Sequence, residues 1–168
     1  MAISRTGHCA RRTGVSKPPF QRFLDAHRDD VWRFLVASVG RDAADDCFQE
    51  TFMAALRAYP RTRVDNPRAW VLTIAHRKAL DHHRGRARRA VPVGAVPDVP
   101  APRAPEPDSG GVWERVAGLP PKQRAALLLR FAGDLSHREV AAALGCSEEA
   151  ARRSAHEGLK RLREELAA

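Results

Sequence analysis

Lysine is nearly missing from this basic chain. Only Lys17, Lys78, Lys122 and Lys160 occur, and arginine supplies the rest of 29 basic side chains against 20 acidic ones. The resulting formal charge of +9 and pI near 10.6 are the balance of a polyanion binder. Arginine with abundant alanine is also what a GC-rich genome writes, so the placement of charge has to carry the argument. Cysteine is scarce as well. Cys9, Cys47 and Cys146 share no metal or disulfide spacing and form no Cys-x-x-Cys pair. That excludes a disulfide scaffold and predicts free or buried thiols in a reducing cytoplasm, with no redox role assigned to them. No apolar run approaches the ~18 residues of a membrane span, and the basic N-terminus lacks an apolar signal core. Neither membrane insertion nor export is predicted. Strand-like alternation of apolar and polar residues is absent throughout.

What remains is helical periodicity broken by proline. Residues 1–19 read as a disordered basic tail ending at Pro18-Pro19. Residues 20–90 form a first helical block, in which Phe20, Phe23, Leu24, Val31, Trp32 and Leu35 recur at core spacing. A second helix is predicted from Arg41-Asp42 to about Ala58, with Phe48, Phe52 and Leu56 on one side. Residues 91–111 hold Pro92, Pro97, Pro100, Pro102, Pro105, Pro107, Gly110 and Gly111, too dense for a helix or a central strand. They read as an extended, semi-rigid linker. A second helical block covers residues 112–168. The predicted fold class is all-α: two small helical domains joined by a proline-rich linker, the second containing a helix-turn-helix. Each block has few core residues, so each should be marginal alone and helped by a partner.

Asn66-Pro67 marks a helix start, with Asn as cap and Pro at the first helical position. On the helix from Pro67 to about Arg86, Val71, Ile74, Ala75, Lys78, Ala79 and His82 share one arc that should face the core. Thr73, Arg77 and Arg84 lie opposite, with Trp70 and Asp81 at one border and His76 at the other. The helix runs out into Arg84, Arg86, Arg88 and Arg89. Cations beside a flat ring suit single-stranded DNA, where phosphates need charge and an unstacked base needs a platform. A solvated face with Trp70 filling the core explains Trp70 equally well.

Asp45-Asp46-Cys47-Phe48-Gln49-Glu50-Thr51-Phe52 sets acids and an amide on one helix. Acids near a helix N-terminus are favoured by the dipole alone. In a strongly basic protein the patch is also a docking surface for a basic protein partner.

The C-terminal block carries the sharpest pattern. Ser136-His137-Arg138-Glu139 fits a capping box, and Gly145-Cys146-Ser147 writes a turn in which Gly ends the helix left-handed. The next helix starts at about Glu148. Ala151, Ala155, Leu159, Leu162 and Leu166 form its inward stripe, and the small residues at 151 and 155 permit close approach to a neighbour. Glu149, Arg153, His156, Glu157 and Lys160 face out, flanked by Arg152, Arg161 and Arg163. This is the layout that puts a recognition helix into the DNA major groove, where Arg suits guanine. His76, His82 and His83 sit close in sequence, but no carboxylate cluster or third ligand motif joins them. No metal, cofactor or catalytic residue is predicted.

Taken together, these segments resemble the extracytoplasmic-function (group 4) class of bacterial RNA polymerase sigma factors, which consist of regions 2 and 4. Asp46-Cys47-Phe48-Gln49-Glu50-Thr51-Phe52 is similar to the class's Asp-x-x-Gln-Glu-Thr-Phe. Pro67 to Ala75 is similar to its Ala-Trp-Leu-x-x-Ile-Ala segment. Leu119-Pro120, Gln123-Arg124, Leu127 to Arg130 and Leu135 to Gly145 resemble region 4, continued by Ser147, Arg152, His156 and Lys160-Arg161-Leu162. The resemblance implies partners: core polymerase, through its β′ clamp and β subunits, promoter DNA, and usually an anti-sigma protein. Asp45, Asp46, Gln49, Glu50 and Phe52 would dock on the clamp. Trp70, Thr73, His76, Arg77, Asp81, Arg84 and Arg86 would take the −10 element, flipping a base out of the stack. Ser147, Glu149, Arg152, Arg153, His156 and Lys160 would contact the −35 element. The class is cytoplasmic and leaves the chemistry to the polymerase, and a monomer is the simplest expectation.

Two departures stand out. Ala150-Ala151 replaces a frequent Thr-Val, and Glu157-Gly158 replaces a frequent Arg-Ala. Glu157 on a basic face repels phosphate, and Gly158 costs about 1 kcal/mol of helix relative to Ala. A free-standing helix-turn-helix regulator is the alternative reading, and a polymerase-binding adaptor without promoter contact is a further one.

Overall fold

The structure, a computed structural model, describes residues 18–89 and 112–167. The predicted tail, apart from Pro18 and Pro19, and the predicted linker lie outside the described residues. Within them the chain forms seven helices and no strand. They are α1 (Phe20–Val39), α2 (Arg41–Ala58), α3 (Pro67–Arg89), α4 (Val112–Gly118), α5 (Pro121–Leu127), α6 (His137–Leu144) and α7 (Glu148–Ala167). A short 3₁₀ turn, Tyr59–Arg61, follows α2, and a π-helical turn, Leu128–Ala132, extends α5.

Local chemistry sets the boundaries. α1 ends at Gly40, whose φ of 83° only glycine adopts cheaply, and the chain turns directly into α2. Asn66 caps α3 as its position before Pro67 predicts: its side-chain oxygen accepts the Ala69 N–H at 3.1 Å. The capping box of α6 is complete, since Glu139 N–H donates to Ser136 Oγ and Ser136 N–H donates to the Glu139 carboxylate at 2.8 Å. Gly145 closes α6 at φ 66°, with Cys146 N–H donating back to Ala141 O at 3.1 Å. Ser147 in turn caps α7, its hydroxyl accepting the Ala150 N–H.

Helices α1, α2 and α3 pack on one another, and α7 lies against α5 and α6. Gly158 is buried where α7 passes over α5. A Cβ there would meet Leu127 Cδ1 at 3.3 Å and the Gln123 carbonyl oxygen at 3.4 Å. With Ala151, Ala155 and Leu162 it forms the buried stripe of α7. The glycine that weakens the helix thus sits where α7 packs closely on α5.

The two halves do not stand apart. Phe34, Leu35, Leu72, Leu128, Leu129 and Leu135 are all fully buried in one continuous core. A Cβ on Gly133 would come within 2.8 Å of Leu72 Cδ1 and 2.6 Å of Leu129 O. Burying side chains of this size contributes roughly 1.5–3 kcal/mol each, so the shared core supplies what two thin ones lack.

Two inward placements shift. The buried arc of α3 holds Val71, Ala75 and Ala79 as expected, but Leu72 and His76 complete it, while Ile74, Lys78 and His82 are half-buried at its edge. The helix is rotated because α1 and the second half both press on its Leu72–His76 side. Leu56, expected beside Phe48 and Phe52, is 47% exposed.

Candidate nucleic-acid interface

Three surfaces hold the candidate residues. The first is the outer face of α2, where Asp45, Asp46, Gln49 and Glu50 are exposed. Glu50 reaches across to Lys78 on α3 at 3.1 Å. Phe52 departs from the docking role: it is 6% exposed and its ring packs on Phe48 at 4.8 Å. An aromatic side chain of that size stabilises the bundle by being buried, and nothing of it is left for a partner. Cys47 is buried beneath the same face, its thiol pushed up by burial and then by Glu50 and Asp46. That opposes the thiolate on which reactivity depends. Along the exposed line, Met53 and Leu56 follow Asp46, Gln49 and Glu50 and are 51% and 47% exposed. Sequence reasoning missed them as surface residues. The available signal was their spacing: 46, 49, 50, 53 and 56 fall on one helical face.

The second surface is α3. Arg77, Asp81, Arg84 and Arg86 are exposed, with Arg84 at 3.8 Å from Asp81. Thr73 is half-buried and its hydroxyl donates to Ala69 O at 2.7 Å, within its own helix. Trp70 is half-buried in an aromatic cluster, 5.6 Å from Phe23 and 6.3 Å from Tyr59 between ring centroids. His76 leaves the face altogether. It is 7% exposed, edge-on to Phe34, and its pKa is lowered to about 4 by burial and then by Arg77. A neutral, buried imidazole offers no charge to a phosphate. His83 is held differently, at 3.0 Å from Ser38 O at the end of α1; burial lowers its pKa while that bond opposes the shift. Among the described residues no group of three or more His, Cys, Asp or Glu is arranged to hold a metal.

The third surface is α7. Ser147, Glu149, Arg152, Arg153, His156 and Lys160 are all exposed. Arg152 pairs with Glu148 at 3.4 Å, Arg153 with Glu149 at 3.2 Å and Lys160 with Glu164 at 3.8 Å. Exposed i,i+4 pairs contribute about 0.3–0.5 kcal/mol, so these arginines are easily recruited by a stronger anion. Glu157 points sideways: it accepts from Gln123 Nε2 of α5 at 3.0 Å. Its carboxylate therefore serves the helix packing, and the repulsion expected on the basic face is reduced.

Comparison with known proteins decides what these surfaces belong to. Residues 23–89 match the family model Sigma-70 region 2, and residues 110–162 match Sigma-70, region 4. The ECF RNA polymerase sigma factor SigD of Mycobacterium tuberculosis is 37% identical over 161 residues, covering 86% of this chain and 76% of that one. The chain is an ECF RNA polymerase sigma factor. SigC of the same organism is 36% identical over 132 residues, 75% of this chain and 71% of that protein. RNA polymerase sigma factor CarQ of Myxococcus xanthus is 30% identical over 161 residues, 88% of each. In fold, the sigma factor is similar to RpoE solved with the anti-sigma factor NepR from Bartonella quintana, with a TM-score of 0.74 at 24% identity, covering 89% of this chain and 97% of that one. No described helix is long and apolar enough to cross a membrane.

Proposed function

We propose that this sigma factor binds core RNA polymerase through the outer face of α2, reads the −10 element with α3 and reads the −35 element with α7. It would act in the cytoplasm and contribute recognition, while the polymerase performs the chemistry. The observation that carries the reading is the presence, in one chain, of an exposed acidic face on α2 and a capped helix-turn-helix. A free-standing regulator has use for the second only. Asp45, Asp46, Gln49 and Glu50 supply the charge of the docking face, and Met53 and Leu56 supply its apolar contact. Arg77, Arg84 and Arg86 offer cations to a single strand, with Asp81 among them and Trp70 at the edge of the cluster; Thr73 and His76 contribute through the helix itself. On α7, Arg152, Arg153, His156 and Lys160 face the groove, and Ser147 and Glu149 stand at the helix N-terminus. An anti-sigma protein is the regulatory partner expected of such a chain. The domain limits follow the same scheme: 20–90 for polymerase and −10, 112–168 for −35, with 91–111 joining them.

Co-elution with purified bacterial core polymerase tests the reading, with Gln49→Ala/Glu50→Ala as the control. Loss of co-elution in the control supports it. Tight duplex DNA binding by a wild-type chain that never co-elutes would replace it with the free-standing regulator.

A further inference from the structure

Helices α1 and α2 run antiparallel, so Phe20 meets Tyr59 at one end and Trp32 meets Phe48 further along, with ring centroids 5.3 and 5.9 Å apart. Between them lies an open cleft of about 400 Å³, lined by Leu24, Arg28, Asp29, Trp32, Asp45 and Phe48. Leu24, Trp32 and Phe48 are half-buried and give it an apolar floor, while Asp29 and Asp45 are exposed beside them. Arg28 stands 3.4 Å from Asp29, but both are largely exposed, so that pair is weak and easily exchanged. Among the described residues no cation pairs with Asp45 or with its neighbour Asp46. In a chain of formal charge +9, an apolar cleft with an unpaired acid at its edge calls for a basic occupant.

The chain itself carries one. Residues 1–17 hold Arg5, Arg11, Arg12 and Lys17 and no Asp or Glu. The segment joins α1 at Pro18, whose carbonyl accepts the Tyr59 hydroxyl at 2.8 Å, at the Phe20 end of the helix pair. From Phe20 to Asp29 is about 14 Å along the helix at ~1.5 Å per residue, and a sideways step of roughly 10 Å makes about 17 Å. The stretch from Arg12 to Pro18 covers about 20 Å when extended at ~3.3–3.6 Å per residue. Arg11 and Arg12 are therefore within reach of both carboxylates and of the Trp32 ring, with Val15 falling near Leu24 on the way. Such contacts are weak singly, but a short tether supplies an effective concentration in the millimolar range.

We propose that residues 1–17 lie along the α1–α2 cleft of the free protein, with Arg11 and Arg12 against Asp29, Asp45 and Trp32, and compete there with core polymerase for Asp45. The competition rests on the docking role proposed for α2; the seating of the segment does not. A seated fraction lowers the apparent affinity for any partner that needs the cleft edge free.

The full chain tests both parts. Cys9 lies in the segment, Cys47 is buried and Cys146 is exposed, so a nitroxide on the Cys146→Ser variant reports from Cys9 alone. It should broaden the Trp32 indole N–H and the backbone amides of Asp29 and Asp45. Arg11→Glu/Arg12→Glu should abolish that broadening and tighten binding to core polymerase about three- to tenfold at low salt, as expected from a seated fraction of roughly 70–90%. The gain should shrink as salt rises. Adding Asp29→Arg to the double variant pairs the two helices' cleft with the new glutamates and should bring the broadening back. No broadening in the wild-type sequence overturns the seating. Equal broadening when the label and the isotope are on different chains means that a second copy fills the cleft, and overturns the intramolecular occupant. Broadening that Arg11→Glu/Arg12→Glu leaves intact overturns the arginines as its anchors. Its loss without tighter core binding overturns the competition. Loss of broadening with no core binding by either protein overturns the polymerase docking, and the competition with it, while the seating stands.

Discussion

Glu50 on α2 and Lys78 on α3 lie 3.1 Å apart, tying the acidic face of α2 to the helix whose far side carries the arginines. Glu50 is the more exposed partner, at 63% against 29% for Lys78, so its carboxylate remains open to a basic partner. Pairs of this exposure contribute about 0–1 kcal/mol. Lys78→Met is therefore expected to leave unfolding free energy within ~1 kcal/mol of wild type and to preserve core binding. Glu50→Gln should keep the fold equally well and weaken core binding, more so at low salt. Urea melts and a salt series of core titrations separate the two; equal loss in both variants would make the pair, not the carboxylate, the docking element.

Met53 and Leu56 give a prediction with the opposite salt behaviour. Both are exposed, so Met53→Ser and Leu56→Ser should change stability by no more than ~0.5 kcal/mol. Buried in an interface, each should cost core binding roughly 1–3 kcal/mol, about five- to 160-fold, with little dependence on salt. Unchanged titrations would confine the interface to the N-terminal half of α2.

These two residues also mark where the sequence stopped being legible. Helix boundaries, caps and the glycine turn were readable because each rests on neighbours within four residues: Asn66 with Ala69, Ser136 with Glu139, Gly145 with Ala141. The exposed charges of α2, α3 and α7 were readable for the same reason. What failed depends on distant chain. His76 turns inward because Phe34 of α1 awaits it, Phe52 is buried in the core that α2 forms with α1 and α3, and Leu56 stays exposed on the outer face of α2. The seam between the halves was invisible, since Asn66 and Glu139, which hydrogen-bond across it, are 73 positions apart.

Gly158 shows how a local rule and a tertiary contact oppose each other. In an exposed helix Gly→Ala gains about 1 kcal/mol. Here the added Cβ meets the Gln123 carbonyl at 3.4 Å, an ordinary contact, and Leu127 Cδ1 at 3.3 Å, which has to give slightly. Gly158→Ala should therefore gain less than ~0.5 kcal/mol, and Gly158→Leu should lose about 1–3 kcal/mol by overpacking. Denaturant midpoints decide; a full ~1 kcal/mol gain in the alanine variant would mean that α7 does not seat on α5 so closely.

His76 makes stability depend on pH in a defined window. The unfolded chain takes up a proton at this residue near pH 6.5, whereas the folded chain does so only near 4. Above pH 6.5 the imidazole is neutral in both states and contributes no slope. Between pH 6.5 and 4 the unfolded state binds more protons, so stability falls as pH falls, by about 3 kcal/mol over the window. His27 and His83, both shifted down chiefly by burial, add to the same slope. Glu139 acts elsewhere: its pKa is lowered below 4.5, so its contribution is complete above about 4.5 and is lost only below that. Replacing His76 with Leu removes one titration from the window and keeps a side chain of similar size against Phe34. Its urea midpoint should fall less than that of wild type between pH 7 and 4.5, with His27 and His83 supplying the remaining decline. Parallel declines in the two proteins would mean that His76 takes up its proton in the folded state as readily as in the unfolded one, and that water reaches the ring beside Phe34.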